Sequence, residues 1–246
     1  MQNKYGLKLI VNDKFTPLYN FWKQIKIDKT VLCDELRKIT SITKEDFHNY
    51  RKTIITLNDN ILEQAISYFI INRCSFSGST LSGGFSLESS KKRFTISSIN
   101  NIELLDLTNI DIYNNDFIDF MNDNDNDNDN DRLLFLDPPY YLEKKSKLYG
   151  NNGDMHESFN HQLLFELVKT KRNWIMTYNN CDYIKNIYKD FIIIDVNWTY
   201  GMNTDKNHLK LLYYLFKMEF HHAILIYNIL NYFYLLFHWE NGDLNI

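Results

Sequence analysis

A chain of 246 residues with 44% hydrophobic content is long enough for one sizeable core and a small inserted subdomain. Its net charge of -4 does not advertise a nucleic-acid binder, but residues 123–131 hold five aspartates in one surface excursion, so a local basic face can survive elsewhere. Cys33, Cys74 and Cys181 are too few and too scattered for a disulfide framework or a thiolate metal site, and Met1-Gln-Asn-Lys-Tyr-Gly6 lacks the features of a signal peptide; a reducing, cytoplasmic setting without a metal is expected.

Lys8 to Val11 reads as a brief strand ending at Asn12-Asp13. Helical spacing follows through Leu18, Phe21, Trp22 and Ile25, and again through Leu32, Leu36 and Ile39. Thr43 with Asp46 marks a helix start of the capping-box kind, and Leu62 to Ile71 forms an apolar helix that carries Asn72 and Arg73 at its end. Ser75 to Ser90 is rich in Ser and Gly, which predicts a mobile loop; its Gly78, Gly83 and Gly84 fit no phosphate-loop spacing. Ile102 to Leu107 leads into a second strand ending at Ile112-Tyr113, before Asn115-Asp116-Phe117. The alternating Asn/Asp tract at 122–131 cannot bury itself and is expected to be disordered, and it lacks the Gly turn and terminal Glu of a calcium loop. Arg132 to Asp137 is a short buried strand, Gln162 to Lys169 a helix, and Asn173 to Thr177 and Phe191 to Val196 are further strands. Strands separated by amphipathic helices predict an α/β sandwich with a largely parallel sheet, whose sites lie beyond the carboxyl ends of its strands. Asp13, Asp116 and Asp137 each fall at such an end, which places all three around one cleft.

The most informative segment is Asp137-Pro138-Pro139-Tyr140. Two prolines stop the strand and push the residue before each toward extended geometry, holding the Asp137 carboxylate and the Pro138 carbonyl as acceptors. Tyr140 offers a flat face for a ring. The same four residues would also suit a plain turn with a buried tyrosine. Lys144, Lys145 and Lys147 lie a few residues on, where phosphates would pass if a base entered the pocket; the alternative is a solvated lysine run. Asp13 and Asp116, taken singly, also suit capping aspartates, Asn72-Arg73 a local helix cap, and His161 a structural histidine at a helix start.

The tetrapeptide at a strand end resembles the catalytic motif of the amino-methylating DNA methyltransferases, and more of the chain resembles their adenine-specific, Dam-like D12 class. Val11-Asn12-Asp13 with Pro17-Leu18-Tyr19-Asn20-Phe21 is similar to the cofactor-proximal acidic strand end and the helix after it. Ile71 to Gly78 resembles the entry into the DNA-recognition region, Asn115-Asp116-Phe117 the acidic-aromatic pair beside the cofactor adenine, and Trp174 to Asn179 a later strand and its tip. The segment from Tyr149-Gly150 to Phe159, His161 and Leu164 resembles the one after the catalytic loop. This resemblance implies a Rossmann-like methyltransferase sandwich with a helical DNA-recognition insertion over about 28–100. It further implies S-adenosylmethionine as cofactor, held by Asp13, Asp116 and Phe117, and duplex DNA as partner, contacted by Asn72, Arg73 and the three lysines. Asp137, Pro138 and Tyr140 would act on the N6 amine of a flipped adenine. A monomer is the expected state, in a restriction-modification or viral setting of the kind that an Asn- and Lys-rich composition suits.

Two features depart from the family pattern. The glycine-rich cofactor loop precedes the segment that Val11-Asn12-Asp13 resembles, yet ten residues with Gly6 as their one glycine precede it here. The expectation is a sheet incomplete at its N-terminus with one strand edge exposed, and hence three alternatives: an active enzyme, an inactive truncated remnant with at most residual DNA binding, or a chain complemented by a second one carrying the loop. The segment 204–246 reads as an atypical tail, apolar over Ala223 to Phe237 but short for a bilayer span, so no membrane association is expected.

Overall fold

The computed structural model describes residues 8–56, 58–123, 132–141, 159–198 and 210–217. They fall into two compact units, divided between Phe120 and Met121.

In the first unit, β1 (Leu9–Asn12) pairs in parallel with β2 (Ile110–Tyr113), in the register Leu9 to Ile110 and Asn12 to Tyr113. A parallel pair needs a crossover, and here it is a layer of helices. These are α1 (Thr16–Arg37), α2 (Lys44–Thr56), α3 (Ile61–Cys74), α4 (Leu87–Arg93) and α5 (Ile96–Glu103), with a 3-10 turn at Phe76–Gly78. Pro17 sits in the first turn of α1, where its missing N–H costs nothing. The two helical patterns read from the sequence are one element bent at Asp28, whose φ of -160° and ψ of 93° leave the helical region. The Asp28 carboxylate accepts from the amide of Val31 at 3.0 Å and so restarts the helix as a cap. The bend falls where the sequence placed the start of a helical insertion.

The α2 start follows the predicted capping box: the Thr43 amide donates to Asp46 at 2.9 Å and the Asp46 amide to the Thr43 hydroxyl at 3.1 Å. Asn60 caps α3, Ser86 caps α4, and Thr95 with Ser98 forms a reciprocal box on α5. The core fills the space between these helices and includes Phe21, Leu32, Leu36, Phe47, Phe69 and Ile70.

The segment 75–90 differs from the mobile loop expected. Its last residues belong to α4, and its turn is tied down on both sides. Ser75 bridges Phe85, the Phe76 amide donates to Gly84 at 2.9 Å and the Ser86 amide to Cys74 at 2.9 Å. Arg51 donates to the carbonyls of Leu81 and Gly83. A Cβ at Gly83 would meet the carbonyl oxygens of Ser79 at 2.7 Å and Phe76 at 2.9 Å, so only glycine lets the strands of the loop approach this closely.

The second unit is built on the sheet order β3-β4-β6-β5, from β3 (Leu134–Leu136), β4 (Trp174–Asn179), β5 (Ile192–Trp198) and β6 (Lys210–Lys217). β3 and β4 are parallel, whereas β6 runs antiparallel to both of its neighbours, so the sheet is mixed rather than uniformly parallel. No strand was expected at 210–217 from the sequence, because its apolar residues are nearly continuous and show neither helical nor alternating period. In the sheet β6 is an inner strand, between β4 and β5. The helices α7 (His161–Val168) and α8 (Asp182–Ile187) precede β4 and β5 in the chain, while α6 (Phe117–Asp123) follows β2. The strand predicted at 132–137 is shorter, three residues, and half-buried rather than buried. The Asn/Asp tract lies outside the described residues except Asn122 and Asp123, which close α6. Among the described residues no helix is long and apolar enough to cross a membrane.

Burial sets an alkaline limit on stability. The Cys74 thiol is pushed by burial from 9.0 to about 12, and burial raises Cys33, Tyr178 and Tyr188 as well. A group whose folded value lies above its unfolded one gives stability that is complete below the unfolded value and lost as pH rises toward the folded one. The urea midpoint of unfolding is therefore expected to hold up to about pH 9 and to fall steadily above it, up to about 12 for Cys74. A midpoint unchanged between pH 8 and 11 would contradict this.

Candidate active site

In the first unit the tips of β1 and β2 are laced together. Asn12 and Asn115 exchange two hydrogen bonds, from the Asn12 amide nitrogen to the Asn115 carbonyl at 3.0 Å and from the Asn115 backbone to the Asn12 side chain at 2.9 Å. The Asn114 side chain donates to the Asp13 carbonyl at 2.8 Å. Asp13 and Asp116 thus stand side by side past the carboxyl ends of parallel strands, where sites in such sheets occur. Asp13 accepts from the Phe15 amide at 2.7 Å, a turn that feeds α1. Surrounding protein raises its carboxyl from the usual value while that amide lowers it; the side chain is nonetheless exposed, and hydration limits the rise.

Asp116 is more occupied. One oxygen takes the Lys14 ammonium at 2.7 Å and the other the Ile118 amide at 3.0 Å, so it caps α6 as well as pairing. Lys14 is the main cause that holds this carboxyl below its usual range. Phe117 follows as the first residue of α6, half-buried.

In the second unit Asp137 is the first residue past β3, and its side chain is exposed. The last pair of the β3–β4 ladder is Leu136 with Met176, so the next residues, Asp137 and Thr177, face each other. The Thr177 hydroxyl donates to the Asp137 carboxylate and fixes its orientation. Thr177 is itself 5% exposed, so the donor end of this bond is sheltered from water. Pro138 and Pro139 lead to Tyr140, half-buried and 6.4 Å from the ring of Tyr178. The Asn179 side chain donates to the Tyr141 carbonyl at 2.8 Å and pins the chain beyond Tyr140. Tyr141 stacks on Tyr183 at 4.2 Å and meets His161 edge-on at 5.3 Å. His161 is 8% exposed and hydrogen-bonded through Nδ1 to the buried hydroxyl of Tyr178. The expected structural role of this histidine at a helix start agrees with its position: it is the first residue of α7 and braces β4 beneath the tetrapeptide.

Of the other residues singled out, Arg73 is 7% exposed, with its guanidinium over the Phe69 ring at 5.4 Å. It does not stand on the surface as a phosphate contact would, because α3 turns it into the helical core. Asn72 donates to the Gly78 carbonyl at 3.4 Å and so supports the 75–85 turn. Lys144, Lys145 and Lys147, with Tyr149 and Gly150, lie outside the described residues. Thr177, Tyr141, Tyr183, Asn179 and Lys14 had no role assigned from the sequence. Thr177 was legible in principle: it follows an apolar run, as Asp137 does, and parallel neighbours of equal phase meet at their ends.

Helices alternating with parallel strands, and acidic residues just past three strand ends, define an α/β protein of the Rossmann-like methyltransferase type. The family described as D12 class N6 adenine-specific DNA methyltransferase matches residues 1–202, and the chain belongs to it. No curated protein gives a match to the chain.

Proposed function

We propose that the chain transfers a methyl group from S-adenosylmethionine to the N6 amine of an adenine turned out of duplex DNA. The observation that carries this is the Asp137 carboxylate, exposed at a strand tip and oriented by Thr177, three residues before the half-buried Tyr140. The N6 lone pair is delocalised into the adenine ring, which makes the amine a poor nucleophile. Asp137 and the Pro138 carbonyl accept hydrogen bonds from its two N–H groups and favour a tetrahedral nitrogen, whose lone pair then points out of the ring plane; the nitrogen releases one proton after the methyl group has arrived. An ionised carboxylate has about four acceptor positions, so the Thr177 bond leaves capacity for that contact. Tyr140 supports the face of the extruded base.

When bound, S-adenosylmethionine supplies the methyl group. Asp13 suits its ribose hydroxyls, because the side chain is exposed and one amide is its only donor among the described residues. Asp116 suits the adenine amine less well: Lys14 and Ile118 already donate to it, so a ligand donor must share its remaining lone pairs. Phe117, half-buried at the start of α6, is assigned to pack near the cofactor ring.

Isothermal titration with S-adenosylmethionine tests the cofactor assignment. Micromolar binding is expected, weakened about ten-fold or more in Asp13→Ala, in keeping with the loss of a charged hydrogen-bond acceptor. Binding that is undetectable at millimolar cofactor would overturn autonomous methyl transfer by this chain.

A further inference from the structure

We propose that Tyr183 is a positioning residue for the methyl transfer, holding the segment after Asp137 in place through Tyr141, an inference that rests on the reading of this chain as a DNA methyltransferase. Segment 137–141 carries the Pro138 carbonyl and the Tyr140 ring, both assigned to the base, and it belongs to no helix or strand. A segment without a ladder of its own takes its position from what ties its ends. β4 ties it at both, since the Thr177 hydroxyl donates to Asp137 and the Asn179 side chain to the Tyr141 carbonyl at 2.8 Å. Between these ties the rings of Pro138 and Pro139 fix φ, so a displacement of Tyr141 is passed back to Tyr140 and to the Pro138 carbonyl.

The half-buried ring of Tyr141 has restraints of its own. Tyr183, in the first turn of α8, lies over it with the centroids 4.2 Å apart and the planes at 20°, and His161 from α7 meets it edge-on at 5.3 Å. These are contacts between side chains, and they fix the direction of the ring, which the Asn179 bond to the backbone does not. Tyr183 is not needed to seat α8. Ile184 within that helix and Tyr188 at its end are 0% and 1% exposed and serve that purpose, whereas Tyr183 is 37% exposed. An aromatic left this open, yet stacked on the residue that follows Tyr140, contributes through its partner rather than through burial. On this reading Tyr183 touches neither base nor cofactor and acts on the reaction through Tyr141.

The test is a steady-state methyl-transfer assay on duplex DNA with tritiated S-adenosylmethionine. It compares the full chain with Tyr183→Ala, Tyr183→Phe, Tyr183→Leu, Tyr141→Ala and the double alanine variant, all below the temperature at which unfolding begins. Tyr183→Ala is expected to lower kcat about three- to ten-fold with cofactor affinity unchanged, the size of effect that follows when one aromatic pair is lost from a segment that orients a substrate. Tyr183→Phe restores kcat because it keeps the flat face, and Tyr183→Leu, which keeps apolar bulk alone, does not. Adding Tyr183→Ala to Tyr141→Ala costs nothing further, because the two act as one unit. An unchanged kcat in Tyr183→Ala would overturn the inference and leave the DNA methyltransferase reading standing. Recovery in Tyr183→Leu, a loss in Tyr183→Phe equal to that in Tyr183→Ala, or losses that add in the double variant would overturn it too. No methyl transfer by the unchanged chain would remove the inference together with the reading beneath it.

Discussion

Asp137→Ala is expected to reduce methyl transfer to duplex DNA by about a hundred- to a thousand-fold, the range found when one preorganised electrostatic contact to a transition state is deleted. On the proposed reading the carboxylate meets the base and not the cofactor, so cofactor affinity should be unchanged and the loss should fall on kcat. Thermal stability should fall by no more than about 1–3 kcal/mol, because Asp137 is exposed and the main cost is the buried Thr177 hydroxyl left without this acceptor. Thr177→Val gives the finer comparison. It keeps the shape of the side chain but removes the hydroxyl that donates to Asp137. A hydrogen bond to a charged group contributes about 1.5–3 kcal/mol, so a loss of about ten- to a hundred-fold in kcat is expected, with the larger effect reserved for Asp137→Ala. A single-turnover assay with tritiated cofactor measures both. Equal rates for Asp137→Ala and the unchanged chain would remove Asp137 from the chemistry.

Much of this was legible in the chain because strand ends punctuate it. Asp13, Asp116 and Asp137 follow apolar runs, and each lies past the carboxyl end of its strand in the structure. The Thr43–Asp46 box is local chemistry, read from four residues and realised as read. Partners brought together by tertiary structure were not legible. Arg73 looked like a surface charge at a helix end, yet it is 7% exposed with its guanidinium over the Phe69 ring. The 75–85 turn is likewise tied by Arg51, a donor distant in sequence, whereas the local Ser and Gly content suggested motion. Strand β6 was hidden for a third reason. An inner strand in a mixed sheet needs no alternation, so periodicity gave nothing to find.

Trp174→Ala should be among the most destabilising single changes in the second unit, at about 3–5 kcal/mol, as for other large aromatic side chains removed from cores. Trp174 is fully buried at the start of β4, with ring contacts to Tyr188 at 6.0 Å and Phe191 at 5.2 Å. β4 lies between β3 and β6, so a cavity at its base loosens both ladders. Trp174→Phe should be far milder than its lost volume implies. The indole N–H is buried with no hydrogen-bond partner among the described residues, and an unsatisfied buried donor costs about 1–3 kcal/mol. Phenylalanine discards that penalty along with part of the packing, and the two effects oppose each other. Urea unfolding should therefore show a midpoint for Trp174→Phe close to that of the unchanged chain, and a strongly lowered one for Trp174→Ala. Since β4 also carries Thr177 opposite Asp137, Trp174→Ala should lose methyl transfer at temperatures where it still folds, whereas Trp174→Phe should retain it. Equal destabilisation by the two substitutions would show that the indole N–H is satisfied, and that packing alone decides the stability of β4.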